Sequence, residues 1–226
     1  TASVALARVH GSEAGASFDI LARFESEDTR SHAEVMAPFA RVALQEAGVR
    51  GEELDAILTG TGPGPFTGLR AGIVTARALG FAWSVPVYGM MSLTALAERA
   101  YQERVFAQGG RVSEAEGAEL LVASDARRRE VYSARYRVNA EGYSLVDGPT
   151  VSPASEILPG EGPSYAYGYG AGLYAETLRE LVVALSLDSS HFSRNMRTIN
   201  QQDAAVENLH KFFRIIGLLK GLRRIN

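Results

Sequence analysis

The residues with the clearest capacity to bind a ligand are three consecutive arginines, Arg127, Arg128 and Arg129. Adjacent guanidinium groups can bind phosphate, because each presents a planar fork of hydrogen-bond donors. Arginines in a turn more often lie in solvent or pair with neighbouring acids, for which Asp125 and Glu130 are placed. The sequence favours the second interpretation and leaves the first open.

A second candidate is the loop at residues 60–65, which reads GTGPGP. It lies between a predicted strand and a predicted helix, where free backbone N–H groups and the helix dipole favour anions. The loop lacks the lysine that a P-loop places against phosphate, and its two prolines remove backbone donors. We therefore favour a structural turn over nucleotide binding.

A third candidate combines tyrosines with glycines late in the chain. The residues are Tyr165, Tyr167, Tyr169 and Tyr174 with Gly168, Gly170 and Gly172. Aromatic side chains can stack on nucleic-acid bases. A glycine-rich strand end that packs on its own tyrosines explains the same pattern, and we favour that interpretation.

Composition excludes several other kinds of chemistry. The chain has no cysteine, so disulfides, thiolate metal sites and a cysteine nucleophile are ruled out. Its four histidines are scattered, without the spacing of a helical metal site. The net charge of −3 argues weakly against nonspecific binding of nucleic acid. We expect no catalytic residue, metal or cofactor, no membrane association and a cytoplasmic location.

Hydrophobic periodicity assigns these groups to alternating strands and helices. Strands are predicted at residues 1–9, 18–24, 54–60, 84–89, 120–124, 131–138 and 165–169, and helices at residues 31–47, 66–83, 92–104 and 173–185. Pro38 predicts a kink in the first helix, and Gly48 a glycine at its end. The order predicts an α/β fold with a sheet that is partly parallel and partly built from hairpins.

Two of these helices carry stripes of small residues. Gly68, Gly72, Ala76 and Gly80 recur every four residues in the second helix, and Met36, Ala40, Ala43 and Ala47 do so in the first. Each helical glycine costs about 1 kcal/mol relative to alanine, so a neighbouring backbone must approach closely. The helices could pack on each other within one molecule, or together form a surface for another protein. Spacing does not separate these interpretations.

A change of composition near residue 185 divides the chain. Residues 1–185 contain 16 arginines, no lysine and 23 acids, whereas residues 186–226 contain seven basic residues and three acids. We predict three parts: residues 1–105 and 106–185 as two subdomains, and residues 186–226 as a divergent tail of uncertain origin. The tail has the pattern of a basic amphipathic helix, which could dock on the body, lie on a membrane or bind RNA.

Three blocks of the sequence together resemble one protein family. Residues 62–70 read GPGPFTGLR, residues 86–97 read PVYGMMSLTALA, and residues 125–132 read DARRREVY. They resemble the TsaB (YeaZ) family of bacterial proteins that take part in making threonylcarbamoyladenosine (t6A) on tRNA. Pro65 stands where that family usually has serine, and Arg129 where it has glycine. The resemblance extends over about residues 1–180.

The resemblance implies an actin-like, RNase H-like fold of two subdomains, here lacking the family's first strand. It implies a scaffold or activator without catalysis of its own, which binds a TsaD-type catalytic subunit or a second copy of itself. A TsaE-type ATPase is a possible further partner, and contact with tRNA would be indirect. The partner-binding residues that it implies lie on the two striped helices: His32, Val35, Met36, Phe39, Ala40, Ala43, Gly68, Leu69, Gly72, Ile73, Ala76, Arg77 and Gly80.

Two other functions compete with this interpretation. An actin-like ATPase or kinase-like enzyme needs carboxylates and glycine-rich turns in both halves to hold magnesium and phosphates. In the second half only Asp125 is a candidate, and arginines follow it instead of a glycine turn. A metallopeptidase would need a histidine pair that the sequence lacks.

Overall fold

A computed structural model of the protein describes residues 2–10, 17–26, 32–105, 116–140, 142–161, 164–178 and 223–224. The described residues divide into two compact units, which fall within residues 1–92 with 201–226 and within residues 93–200. Residues 11–16, residues 106–115 and nearly all of the basic tail lie outside the described residues.

The first unit begins with a hairpin covered by a helix. Strands β1 (Ala2–His10) and β2 (Ser17–Ser26) pair antiparallel, as predicted. Helix α1 (His32–Ala47) packs on both strands. It ends at Gly48, which has φ +64°. The N–H groups of Gly48 and Val49 donate to Gln45 and Leu44, so the predicted glycine end is a Schellman motif.

The rest of the first unit is a strand–helix–strand segment. Strand β3 (Ile57–Gly60) leads into helix α2 (Phe66–Trp83), and β4 (Val87–Met90) pairs parallel with β3. Strand β9 (Arg223–Arg224) adds antiparallel to β4. Both β3 and β4 are shorter than predicted, because a 3-10 turn (Gly51–Glu53) precedes β3 and a left-handed Ser84 ends α2.

The second unit is built on a four-stranded sheet in the order β7-β6-β5-β8. The strands are β5 (Glu119–Arg127), β6 (Glu130–Asn139), β7 (Gly142–Pro153) and β8 (Ser164–Tyr167). β5 pairs antiparallel with β6 and parallel with β8. Its run of apolar residues is buried from Leu120 to Ala123, as expected for a strand that is paired on both sides.

Short helices cover one side of this sheet. Helices α4 (Tyr169–Leu173) and α5 (Ala175–Leu178) replace the start of the single helix predicted at residues 173–185. The difference arises because residues 168–172 are close to the strands: a side chain at Gly168 or Gly170 would collide with the backbone of Ala123 or Ser124. Residues 179–185 lie outside the described part of the chain.

Helix α3 (Ser92–Val105) groups with the second unit, although the sequence placed it in the subdomain of residues 1–105. Its inward residues Leu93, Ala97 and Tyr101 are fully buried. The ring of Tyr101 lies 5.4 Å from that of Tyr143, and the hydroxyls of Thr94 and Tyr136 are 3.0 Å apart. Burial raises the pKa of Tyr136 to about 12, the bond with Thr94 opposing it in part.

Candidate partner-binding surface

Helix α1 is fixed to its hairpin through the face that carries the predicted small-residue stripe. Ala43 is 1% exposed and Leu44 is also buried. The ring of Phe39 stacks on Phe24 of β2 at 5.8 Å between centroids. These contacts engage Phe39 and Ala43 within the chain. Val35, Met36 and Ala40 remain half-exposed, and the side chain of His32 lies outside the described residues.

The glycine stripe of α2 faces the sheet of its own unit. A side chain at Gly80 would meet Val87, and its Cβ would lie 2.9 Å from the carbonyl oxygen of Val85. Ala76 is buried, and a Cβ at Gly72 would lie 3.8 Å from Oγ1 of Thr59. The stripe thus lets α2 close on β3 and β4. This packing within one chain explains the glycines, and α1 packs beside α2 as well.

The opposite face of α2 is an exposed surface that the sequence interpretation missed. Phe66 and Val74 are each 65% exposed and Phe81 is 90% exposed. Arg70 and Arg77 lie exposed on the same face. At 100° per residue these five positions fall within about 80° of arc along about 22 Å of helix. We call these five residues the α2 outer face. The sequence did contain a signal for this surface, namely large apolar residues on the side of the helix opposite the glycine stripe.

The predicted residues of α2 therefore separate by accessibility. Arg77 is exposed; Gly68, Leu69, Gly72 and Ile73 are half-buried; Ala76 and Gly80 are buried. The guanidinium of Arg70 lies 3.7 Å from the centroid of the Phe66 ring, in a cation–π contact that fixes both side chains. An aromatic ring with a fixed arginine on an exposed helix is typical of protein interfaces.

The loop between β3 and α2 forms a structural turn, as favoured from the sequence. Thr61 N–H donates to the carbonyl of Met90 at 2.8 Å, and the carbonyl of Gly62 accepts from Ser92 N–H at 2.7 Å. Gly62 has φ +96°, a conformation suited to glycine. Pro65 is the N-cap residue of α2 and supplies no side-chain bond to the helix. These bonds tie the loop to the end of β4.

A buried ion cluster holds one end of the second unit's sheet. Glu119 is 1% exposed and accepts hydrogen bonds from Arg135 at 3.0 Å and Arg137 at 2.7 Å. Arg135 also donates to the carbonyl of Leu158, and Arg137 to exposed Glu161. Burial alone would raise the pKa of Glu119, but the bonds from both arginines and the charge of Arg135 outweigh it and lower that pKa. The bond to Glu119 raises the pKa of Arg137.

At the other end of this sheet, β5 and β6 are joined by a turn of arginines. Arg127, Arg128 and Arg129 have φ of +65°, +52° and +67°. The left-handed region costs a non-glycine residue roughly 1–2 kcal/mol. The backbone N–H of Arg127 donates to Oδ1 of Asp125 at 2.8 Å. All three arginines are exposed, and none forms an ion pair within the described part of the chain.

The arginines therefore lie in solvent, which is one of the two arrangements favoured from the sequence; pairing with Asp125 or Glu130, the other, is not observed among the described residues. Among the predicted tyrosines, Tyr169 is 55% exposed, whereas Tyr165, Tyr167 and Tyr174 are half-buried. That difference agrees with a strand end packed largely on its own chain. Among the described residues, no group of three or more acids and histidines is placed to hold a metal ion. No described helix is long and apolar enough to cross a membrane.

The chain is similar to known proteins over most of its length. Residues 19–213 match the family model TsaD, described as tRNA N6-adenosine threonylcarbamoyltransferase. An uncharacterized protein of Mycobacterium tuberculosis is 44% identical over 133 residues, which are 59% of this chain and 54% of that protein. This chain spans about half the length of the curated relatives it matches.

Two further similarities are more specific in name. The tRNA threonylcarbamoyladenosine biosynthesis protein TsaB of Haemophilus influenzae is 34% identical over 103 residues, 46% of this chain and 39% of that protein. The structure of YeaZ from Pseudomonas aeruginosa superposes with a TM-score of 0.55 and 33% identity, covering 77% of this chain and 73% of that one.

Proposed function

This chain belongs to the TsaD family, and on that premise we propose that it acts in the biosynthesis of t6A on tRNA as a non-catalytic subunit. Its role is to bind and activate a TsaD-type catalytic subunit that transfers the threonylcarbamoyl group to adenosine 37. A cytoplasmic location accompanies this role.

The resemblance to TsaB (YeaZ) and the α/β, actin-like fold are confirmed by the same comparisons. The shared name of the family model does not assign transferase chemistry to this chain. The relative named TsaB supports the role of a companion subunit, because its name denotes t6A biosynthesis without a transferase activity.

The observation that carries the proposal is the α2 outer face. Phe66, Val74 and Phe81 expose apolar surface in a line along one helix, which is more than scattered single residues explain. Arg70 and Arg77 on the same face add donors for acidic groups of a partner. Burial of such aromatic and arginine side chains supplies most of the energy of typical interfaces.

The proposed interface extends from this face to the half-exposed predicted residues. These are Val35, Met36 and Ala40 of α1 and Gly68, Leu69, Gly72 and Ile73 of α2; the predicted Arg77 already belongs to the α2 outer face. Ala43, Ala76 and Gly80 support it from within, because they let the helices lie close to their strands. Phe39 supports α1 in the same way through Phe24.

The test is co-elution with the TsaD protein encoded in the same genome, by size-exclusion chromatography with light scattering. We expect a one-to-one complex. The double variant Val74→Asp/Phe81→Asp should weaken it by about a hundredfold or more, since it would place two carboxylates without partners in an interface formed by exposed apolar side chains.

A matched control places the same charges on exposed apolar residues of the second unit. Val151 and Leu158 are 53% and 77% exposed, so Val151→Asp/Leu158→Asp should leave the complex intact. A folded chain that forms no complex would overturn the partner assignment. Binding of ATP with magnesium by that chain would then favour an actin-like ATPase or kinase-like enzyme. If the chain instead forms a homodimer that depends on Val74 and Phe81, the partner at this surface is a second copy of the chain.

A further inference from the structure

The turn of Arg127, Arg128 and Arg129 has a strained backbone, and within the described residues the arginines form no ion pair that would offset this strain. Three consecutive residues other than glycine adopt the left-handed conformation at its tip. A two-residue hairpin turn with positive φ at both central positions is ordinarily formed by Asn-Gly or similar pairs. Strained backbone of this kind concentrates at functional sites, where it displays particular side chains.

The guanidinium groups displayed there are available to a ligand. The neighbouring carboxylate of Asp125 is engaged by the backbone N–H of Arg127. Glu130 forms no ion pair with the arginines within the described residues. Three adjacent positive charges therefore face solvent without neutralisation by any acid of the described ranges, although the net charge of the chain is −3.

An exposed aromatic ring lies at the same edge of the sheet. Strands β5 and β8 are parallel, with Val122 opposite Tyr167, so their carboxyl ends meet at one edge. Tyr169 follows β8 directly and is 55% exposed. The backbone of Gly170 lies against that of Ser124, three residues before the arginine turn. Arginines and an exposed aromatic ring at one edge of a sheet supply the two kinds of contact, to phosphates and to bases, by which proteins bind single-stranded nucleic acid.

We propose that Arg127, Arg128, Arg129 and Tyr169 form an RNA-binding edge, in which the arginines contact backbone phosphates and Tyr169 stacks on an unpaired base. Phosphate on arginine gives affinity without sequence recognition, whereas stacking selects unpaired segments. The choice of RNA over an acidic protein rests on the proposed function in tRNA modification. The RNA-binding edge would make contact with tRNA direct, whereas the family resemblance implied an indirect one.

The test is the fluorescence anisotropy of a fluorescein-labelled single-stranded RNA oligonucleotide titrated with the full chain, from about 50 to 200 mM salt. The triple variant Arg127→Gln/Arg128→Gln/Arg129→Gln should lower the affinity by about tenfold or more at the lowest salt. It should also reduce the slope of log affinity against log salt by about 2, since each contact to a single strand contributes about 0.7.

Two matched controls separate this site from general charge and from folding. The variant Arg8→Gln/Arg41→Gln/Arg50→Gln removes the same charge from exposed arginines of the first unit and should leave the slope unchanged. Tyr169→Ala should weaken binding by about tenfold, whereas Tyr169→Phe should retain it, because only the ring is needed for stacking.

Three outcomes would overturn the proposal. The first is no RNA binding by the folded chain at the lowest salt, and the second is an unchanged slope in the triple variant. The third is displacement of the RNA by inorganic phosphate or polyglutamate as effectively as by unlabelled RNA, which would assign the turn to a free anion or an acidic protein. Co-elution with TsaD does not depend on these residues, so it tests the proposed function separately.

Discussion

The two units of the molecule are stabilised in opposite ways. In the first, Gly72, Ala76 and Gly80 remove side-chain volume so that α2 can lie directly on β3 and β4. In the second, the sheet encloses the charge of Glu119 between two arginines and displays three more arginines on a strained turn.

This difference predicts opposite sensitivities. The first unit should be sensitive to added volume, because its helix and sheet have no space between them at Gly80. The second should be sensitive to lost charge, because removing one member of a buried pair leaves the other uncompensated. The single tryptophan of the chain, Trp83, packs on Gly51 in the first unit and provides a local fluorescence signal.

The largest effect is expected from Glu119→Ala. It would leave Arg135, which is 8% exposed, without its carboxylate and should lower the free energy of unfolding by about 3–5 kcal/mol. Urea denaturation followed by circular dichroism measures this change. Glu161→Ala removes an exposed partner of Arg137 and should cost less than about 1 kcal/mol. Equal costs for both variants would contradict the burial argument.

A smaller effect is expected from Gly80→Ala. The added methyl group would meet Val87 and the carbonyl of Val85, and should destabilise the first unit by about 1–3 kcal/mol. The urea midpoint of Trp83 fluorescence measures it. Gly72→Ala is the matched control, since its Cβ makes only an ordinary contact with Thr59 and gains up to about 1 kcal/mol of helix propensity. If Gly80→Ala and Gly72→Ala were both destabilising, neither position of the stripe would have room for a side chain.

Acid should act on the second unit through Glu119. Its pKa in the folded chain is lowered from the ordinary 4.5, so the unfolded chain binds more protons as the pH falls through this range. The stabilisation is complete above the unfolded pKa and is lost as the pH falls through the folded pKa. Each unit of difference contributes about 1.4 kcal/mol. Urea midpoints between pH 7 and pH 3 should decline less steeply for Glu119→Gln than for the unchanged chain.

The smallest effect is expected from Arg129→Gly, and its sign is opposite. Glycine adopts φ of +67° without strain, so thermal denaturation should show a stabilisation between zero and about 1 kcal/mol after the greater entropy of unfolded glycine is included. RNA affinity should fall with the lost charge. Arg129→Ala should lose the affinity without gaining stability. If glycine stabilises no more than alanine does, the turn is not strained at this position.

The sequence was sufficient for the elements with strong local patterns. The limits of α2 were predicted to the residue, and Gly48 predicted the end of α1, because helix periodicity and a left-handed glycine are local properties. Strand β7 was missed, since most of its residues are exposed and its pattern does not alternate clearly. The grouping of helix α3 with the second unit could not be read from its own pattern, because its partners Tyr136 and Tyr143 are distant in sequence.

The same limit of sequence-based prediction applies to the candidate surfaces. From the sequence, the glycine spacing established that some backbone must approach α2 closely, and the three motif blocks established the family. Only the tertiary structure decided that β3 and β4 occupy the glycine face, which leaves Phe66, Val74 and Phe81 exposed.

The sequence by itself thus determined which residues can pack closely and which carry charge, since both follow from side-chain size and ionisation. The tertiary structure alone decided which neighbours fill each face. The pairing of Glu119 with Arg135, and the absence of any such partner for Arg127 to Arg129 among the described residues, depend on strand register. The register of this hairpin is set by the geometry of the turn that joins β5 and β6, and arginine residues do not predict the left-handed backbone that this turn adopts.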